Sequence, residues 1–156
     1  MSLPKCVISS DNEFLYLENK LILLVNIASE CNLCDKSVHR MYQLAELHPE
    51  LMILAYPSND FNQEPSSPDE IKIKFTKQFG EIPSNLYIMK KINIIGANTE
   101  PIFSYVKSKS KYLKFFTEIR WNYEKFIITP DGFVERFSPM KNWDEVNLYI
   151  NGFCNI

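Results

Sequence analysis

Two short apolar runs flanking an amphipathic stretch constrain the fold of this chain more than any other feature of its sequence. Leu21–Ile27 is rich in aliphatic and β-branched residues, which predicts a strand buried on both faces. Asp35–His48 carries apolar side chains at the i, i+3, i+4, i+7 spacing of one helix face. Leu51–Tyr56 predicts a second buried strand. Two such strands joined by a helix indicate a parallel βαβ unit.

Turn and capping residues divide the remainder of the chain into helices and one hairpin. Ser67 before Pro68 and two acids predicts a helix start, and that helix should run to Phe79 and end at Gly80. The sequence Thr-Pro-Asp-Gly at 129–132 predicts a hairpin turn. The other predicted elements are a short strand at 86–89, a helix at 100–109, hairpin strands at 123–129 and 133–137, and a C-terminal helix at 143–153.

This order of elements predicts the fold class. A parallel βαβ unit followed by an antiparallel hairpin is the pattern of thioredoxin-like folds, so we predict an α/β protein with a central mixed β-sheet flanked by helices. The chain has 156 residues, of which 46% are hydrophobic and 23% charged, so we expect a single domain over residues 1–156. Its formal net charge of −2 offers no global attraction to nucleic acid.

The cysteines and the start of the chain indicate a compartment. Four cysteines in 156 residues are too few for a disulfide scaffold. The first ten residues lack the apolar run of a secretory signal, and the most apolar stretch, residues 21–28, is far short of a membrane span. We therefore expect a reducing, cytoplasmic location.

Cys31 is the strongest candidate for chemistry. It follows the first predicted strand and precedes a helix, where ligands of open α/β sheets collect and where helix amides favour a thiolate. A thiolate is the form that attacks disulfides and peroxides. Cys34, three residues further on, is either a redox partner of Cys31 or a small apolar helix residue. Cys6 and Cys154 lack such surroundings and are expected to be inert.

The sequence predicts no metal site. A structural zinc site needs a second Cys/His pair at short spacing. His39 and His48 do not form such a pair, and both are expected to be polar surface residues.

Three blocks of sequence resemble the glutathione peroxidases. Residues 25–34 are similar to the family's peroxidatic block, and Cys31 stands where the family has its catalytic selenocysteine or cysteine. Residues 53–71 resemble the strand and loop with the Pro-x-Asn-Gln-Phe and Gln-Glu-Pro elements. Residues 120–139 resemble the Trp-Asn-Phe-x-Lys-Phe block and its hairpin. The blocks are in order and correctly spaced over about residues 20–140, so the chain resembles a family member with cysteine in place of selenocysteine.

The resemblance implies a set of site residues. The family's catalytic tetrad of Sec or Cys, Gln, Trp and Asn would correspond to Cys31, Asp60, Trp121 and Asn122, with Trp121 and Asn122 hydrogen-bonding the reacting sulfur. Asp60 departs from the pattern, because it stands where the family has Gln. An ionised Asp60 would disfavour a nearby thiolate, whereas a protonated or water-bridged one could donate a hydrogen bond to it.

The resemblance also implies an activity and a reductant. It predicts an antioxidant, thiol-dependent peroxidase that reduces hydrogen peroxide and organic or lipid hydroperoxides through a Cys31 sulfenic acid, with no metal or prosthetic group. Residues 71–79 lack the resolving cysteine of many relatives. Either glutathione reduces Cys31 directly, which is slightly favoured, or Cys34 resolves it to a disulfide for thioredoxin. Lys125 and Arg120 could attract an anionic substrate or glutathione carboxylates, although Lys125 could instead be a solvated surface charge.

Quaternary state and rival functions complete the expectations. The segment between the 100–109 helix and Trp121 is shorter than in tetrameric relatives, which implies the monomeric, phospholipid-hydroperoxide type with transient contact to membrane surfaces. One rival function is a thiol-disulfide oxidoreductase that uses Cys31 and Cys34. The other, motivated by Asp60, is a catalytically weak peroxide sensor.

Overall fold

The computed structural model describes residues 1–110 and 117–154, and its elements follow the predicted order except for two short strands near the start, which were not predicted. The short segment predicted before Trp121 includes residues 111–116, which lie outside the described residues. The strands are β1 (Cys6–Ile8), β2 (Phe14–Tyr16), β3 (Ile22–Ile27), β4 (Met52–Pro57), β5 (Leu86–Ile88), β6 (Lys125–Ile128) and β7 (Val134–Phe137). The helices are α1 (Cys34–Leu47), α2 (Pro68–Phe79), α3 (Pro101–Lys109) and α4 (Trp143–Asn151).

Strands β3 to β7 form one mixed sheet, which confirms the predicted α/β class. Its order is β5-β4-β3-β6-β7, with β3 parallel to β4, β4 parallel to β5, and β6 antiparallel to both neighbours. Ile27 pairs with Pro57 and Val25 pairs with Lys125. The carboxyl ends of β3 and β4 and the amino end of β6 therefore share one edge of the sheet.

Alternating side chains of β3 serve two apolar cores. Leu23, Val25 and Ile27 pack with α1, α2 and α4 on one face. Ile22 and Leu24 pack with α3 and the β1–β2 hairpin on the other. Because both faces of β3 are covered, all six of its residues are buried, and Asn26 is the one polar residue among them.

Local signals place the boundaries of the helices. The Ser67 hydroxyl accepts from the Glu70 amide at 3.2 Å while the Glu70 carboxylate accepts from the Ser67 amide at 2.9 Å, a complete capping box at the predicted start of α2. The helix ends at Gly80, whose φ of 97° suits glycine. In the described part of the chain, no helix combines the length and apolarity that crossing a bilayer requires.

Two expectations from the sequence are corrected, the start of one hairpin strand and the exposure of His48. The predicted strand from Tyr123 begins only at Lys125, because Tyr123 has a φ of 64° and turns the chain before the sheet. His48 was expected on the surface but is only 2% exposed. It is the C-cap of α1 and packs against α4, where its Nε2 lies 2.9 Å from Asn147 Oδ1. His39 is exposed as predicted.

Candidate active site

Cys31 lies in the turn between β3 and α1, at the shared edge of the sheet. Its Sγ accepts a hydrogen bond from the Leu33 amide at 3.4 Å and lies 3.6 Å from Asn32 Oδ1. Leu33 is the N-cap of α1 and has no capping side chain of its own. The Cys31 sulfur thus accepts the amide of the N-cap residue at the amino-terminal end of α1.

A buried carboxylate fixes the turn that carries Cys31. Glu64 Oε2 accepts from the Ser29 amide at 2.8 Å, and Glu64 Oε1 accepts from the Ser29 hydroxyl at 2.6 Å. Lys74 donates to the Ser29 carbonyl oxygen at 2.8 Å. Burial raises the pKa of Glu64, although the bonds from Ser29 act in the opposite direction. The loop after β4 is thereby tied to the turn before the thiol.

The side chain of Asn26 holds the turn that leads into β6. Asn26 Nδ2 donates to the Trp121 carbonyl oxygen at 3.0 Å, and Asn26 Oδ1 accepts from the Glu124 amide at 3.1 Å. The Asn26 carbonyl also accepts from the Tyr123 amide at 2.7 Å. These three bonds account for the positive φ of Tyr123, 64°, because a non-glycine residue keeps this conformation only where surrounding contacts impose it.

Asn122 connects this turn to the loop after β4. It is fully buried, and its Nδ2 donates to Gln63 Oε1 at 3.0 Å. The Gln63 carbonyl accepts from the amide of Glu30, the neighbour of Cys31, at 3.0 Å. Within residues 1–110 and 117–154, Asn122 Oδ1 is buried with no hydrogen-bond partner. A buried acceptor of this kind is uncommon in folded proteins, so it calls for an explanation.

Trp121 borders the same edge from the outside. Its side chain is 36% exposed, and its ring centroid lies 5.5 Å from that of Phe61 in the loop after β4. The pair presents apolar surface next to the hydrogen-bonded link between Asn122 and Gln63. The hydrogen bond from the indole to the reacting sulfur stays a prediction.

Cys34 lies beneath Cys31 in the first turn of α1. Cys34 is buried and contacts the hydroxyl of Tyr123, which donates to the Ala28 carbonyl oxygen at 2.9 Å. Burial raises the pKa of the Cys34 thiol, against the lowering effects of Tyr123 and Lys74. Burial therefore favours the neutral thiol form of Cys34.

Asp60 points away from the link between Asn122 and Gln63. Its Oδ2 accepts from the backbone amides of Ile94 and Ile95, at 2.7 and 3.1 Å. The residue that meets Asn122 is Gln63, so the geometry favours Gln63 over Asp60 as the side chain that supports the site. The catalytic role of Asp60 stays a prediction.

Lys125 requires a correction of placement. It is fully buried, so it is not a solvated surface charge, and its Nζ donates to the carbonyl oxygens of Ser138 and Pro139 at 3.2 and 2.9 Å. The ammonium also lies 4.6 Å from the ring centroid of Trp143. Burial lowers the pKa of Lys125 to about 8. This position argues against contact with a substrate carboxylate, whereas Arg120 is exposed at the edge of the site.

Sequence reasoning missed Asn26, Glu64 and Tyr123 as parts of the site. One signal was available for Asn26, because an amide within a fully apolar strand must find partners. Glu64 lies in the Gln-Glu-Pro element, where its burial was not foreseen. For Tyr123, nothing in the sequence indicates a positive φ.

The fold and the site together define a thiol protein of the thioredoxin-like class. Residues 5–107 match the family model of glutathione peroxidase. Over 127 residues the chain is 38% identical to probable glutathione peroxidase 2 of Arabidopsis thaliana, which covers 78% of this chain and 72% of that protein. The chain therefore belongs to the glutathione peroxidase family and is a thiol-dependent peroxidase.

Two further comparisons agree with this assignment. Over 135 residues the chain is 35% identical to the probable phospholipid hydroperoxide glutathione peroxidase of Mesembryanthemum crystallinum, with 83% of this chain and 76% of that protein covered. The crystal structure of Trgpx in its apo form superposes with a TM-score of 0.70 at 23% identity, covering 96% of this chain and 92% of the other. At that identity the superposition shows the fold, which confirms the thioredoxin-like prediction.

Proposed function

We propose that Cys31 is the peroxidatic nucleophile, acting on hydrogen peroxide and on organic and lipid hydroperoxides. The observation that carries this proposal is the Cys31 sulfur, which accepts an amide at the start of α1 on the edge shared by β3, β4 and β6. Lipid hydroperoxides are included because the Trp121–Phe61 pair offers apolar surface there, and because a relative is named for phospholipid hydroperoxide.

The first step is attack of the Cys31 thiolate on the terminal oxygen of the peroxide. The S–O bond forms as the O–O bond breaks, sulfur is oxidised to a sulfenic acid, and the alkoxide leaves as alcohol after taking a proton. Asn122 Oδ1 is the acceptor we assign to the hydroxyl hydrogen of the sulfenic acid. Gln63 holds the Asn122 amide in place, and Trp121 covers the site.

The second step is resolution by Cys34. The Cys34 amide donates to the Cys31 carbonyl at 3.0 Å, and a turn closed in this way keeps the two Cα atoms within about 7 Å. That overlaps the range of about 4.4–6.8 Å that a disulfide requires. The Cys34 thiol attacks the sulfenic sulfur, the S–S bond forms, and water leaves. The geometry thus supports the route through an internal disulfide, with thioredoxin as reductant, over direct reduction by glutathione.

Parallel turnover assays test both steps. Peroxide consumption is measured with glutathione and with thioredoxin for the wild type and for C31S, C34S and the control C6S, with mass spectrometry of the peptide that carries residues 31 and 34. We expect C31S to lose at least about a thousandfold in rate, the scale of losing a nucleophile, and C34S to lose the thioredoxin-linked rate alone. Full thioredoxin-linked turnover by C34S contradicts Cys34 as the resolving thiol, and activity of C31S contradicts the nucleophile.

A second function is favoured by the same pair of thiols. Cys31, which is 5% exposed, and the more deeply buried Cys34 against Tyr123 form a pair of thiols at the spacing that exchanges disulfides. Reduction of a protein disulfide by the prereduced chain, without peroxide, tests this function. A stopped-flow oxidation of Cys31 no faster than that of a free thiol favours the peroxide-sensor alternative instead.

The remaining assignments are proposals about context. We propose a single-domain monomer in a cytoplasmic, reducing compartment, with transient contact to membrane surfaces, no cofactor in peroxide reduction and no nucleic-acid partner. Sedimentation and vesicle co-flotation of the whole chain test the monomer and the membrane contact.

A further inference from the structure

We propose that His48, Glu50 and Cys154 form a zinc-binding site at the end of α1 opposite Cys31. One ring nitrogen of His48, a carboxylate oxygen of Glu50 and the Cys154 sulfur all lie within 4.8 Å of one another. α1 spans 14 residues, so about 20 Å separates this cluster from the peroxidatic thiol. The cluster belongs to neither step of the peroxidase reaction.

His48 supplies the observation that distinguishes this cluster from a chance grouping. Its Nε2 lies 2.9 Å from Asn147 Oδ1, and because an amide oxygen only accepts, Nε2 carries the hydrogen. Nδ1 therefore holds the lone pair, and this atom is buried without a hydrogen-bond partner among the described residues. A ligating histidine typically donates its other ring nitrogen to an oxygen in this way, which fixes both tautomer and ring orientation.

The backbone that carries His48 and Glu50 is held rigidly. Asn85 Nδ2 donates to three carbonyl oxygens around the turn, those of Ala45, His48 and Leu51, at 3.1, 3.0 and 2.9 Å. The Leu51 amide donates to the His48 carbonyl at 3.0 Å. A site held by such bonds needs little reorganisation to accept an ion.

Cys154 reaches the same point from the far end of the chain. Its amide donates to the Ile150 carbonyl at 3.1 Å, which places it one turn beyond α4, and its sulfur lies within 4.8 Å of a Glu50 carboxylate oxygen. Zinc–ligand bonds of about 2.0–2.3 Å place tetrahedral ligands about 3.5 Å apart. Side-chain movements of about 1 Å therefore convert the observed cluster into a coordination shell.

The donor set selects the class of metal. Imidazole, thiolate and carboxylate together suit Zn²⁺, whereas Mg²⁺ and Ca²⁺ take oxygen ligands. Binding replaces the S–H bond of Cys154 by a Zn–S bond and releases the proton to solvent. Glu50 is exposed and lines a surface cleft, so water completes the fourth position. The bound ion joins the segment after α4 to the α1–β4 turn.

Cobalt and zinc titrations of the whole chain test the site. The background is C31S/C34S, because that pair could itself bind metal. We expect one zinc per chain by equilibrium dialysis, and a thiolate-to-cobalt charge-transfer band that Cys154→Ser abolishes and Cys6→Ser leaves intact. Glu50→Gln, a change at an exposed side chain that leaves the fold in place, should weaken zinc by at least about tenfold. Asn147→Ala should weaken zinc by about 10–100-fold through loss of the histidine's orientation.

Three results would each contradict the proposed zinc site. A cobalt–thiolate band that survives Cys154→Ser, zinc affinity unchanged in Glu50→Gln, or no metal bound to the folded chain each overturns the proposal. Because Cys31 is absent from the background, none of these results depends on whether the chain reduces peroxide.

Discussion

Asp60 and Glu64 are two carboxylates of the same loop, and the structure uses them in opposite directions. Glu64 is fully buried and binds the amide and hydroxyl of Ser29, two residues before the thiol. Asp60 is half-buried and binds the amides of Ile94 and Ile95, on the far side of the loop. Position in a sequence motif therefore does not show which acid supports the chemistry, because side-chain direction decides it.

Among substitutions in this loop, Glu64→Ala has the largest expected effect. The substitution leaves the buried Ser29 amide unsatisfied and opens space beside it, so we expect a loss of about 2–3 kcal/mol in the free energy of unfolding. The turn that holds Cys31 should loosen, and peroxide should oxidise Cys31 more slowly. Urea unfolding and stopped-flow oxidation measure the two effects. Glu64→Gln, which keeps an acceptor for Ser29, is the matched control, and an equal loss in both variants contradicts the hydrogen-bond explanation.

Gln63→Ala tests the next contact along the loop. The backbone bond from Glu30 to residue 63 is unaffected, so only the partner of the Asn122 amide is removed. We expect the rate of Cys31 oxidation to fall about tenfold, the equivalent of about 1.4 kcal/mol in the barrier. Gln63→Glu retains an acceptor for Asn122 and should keep most of the rate. If Gln63→Ala oxidises at the wild-type rate, Asn122 does not need this partner.

Asp60→Asn should have a smaller effect than either of these. Asparagine keeps one oxygen for the amides of Ile94 and Ile95, so we expect a loss of about 0.5–1.5 kcal/mol in stability and a rate of Cys31 oxidation close to that of the wild type. Urea unfolding and stopped-flow oxidation of Cys31 measure the two effects. A tenfold or greater fall in the oxidation rate without a stability loss would return Asp60 to the catalytic role that the sequence indicates.

The sequence predicted the fold because the fold depends on periodic burial. The apolar run at Ile22–Ile27 needs cover on both faces, and a helix between parallel strands provides it. The order of the strands also brings Cys31 and Asn122 to one edge of the sheet. Because β6 runs antiparallel to β3, the residues just before β6 lie beside those just after β3.

What could not be predicted depends on contacts between distant elements. Lys125 is buried because the chain at 138–143 covers it with carbonyl oxygens and an indole, which no local pattern reveals. His48 and Cys154 are 106 residues apart in sequence numbering and meet only because α1 and α4 end together. The choice between Asp60 and Gln63 depends on the course of one loop, in which Asn62 has a φ of 62°.

The smallest expected effect is a difference between the buried Glu64 and the exposed Glu70 in how each changes stability with pH. Burial raises the pKa of Glu64 above its value in the unfolded chain, which is about 4.3. Between these two pKa values the native state binds more protons than the unfolded chain. The free energy of unfolding therefore falls as pH rises above about 4.3. Glu64→Gln lacks this proton, so the unfolding free energy of the wild type minus that of the variant should decrease with rising pH. Glu70 is the internal reference, since its bonds to Ser67 lower its pKa and the difference against Glu70→Gln should increase with pH. Urea unfolding at a series of pH values measures both differences, and slopes of the same sign would show that burial does not control the proton of Glu64.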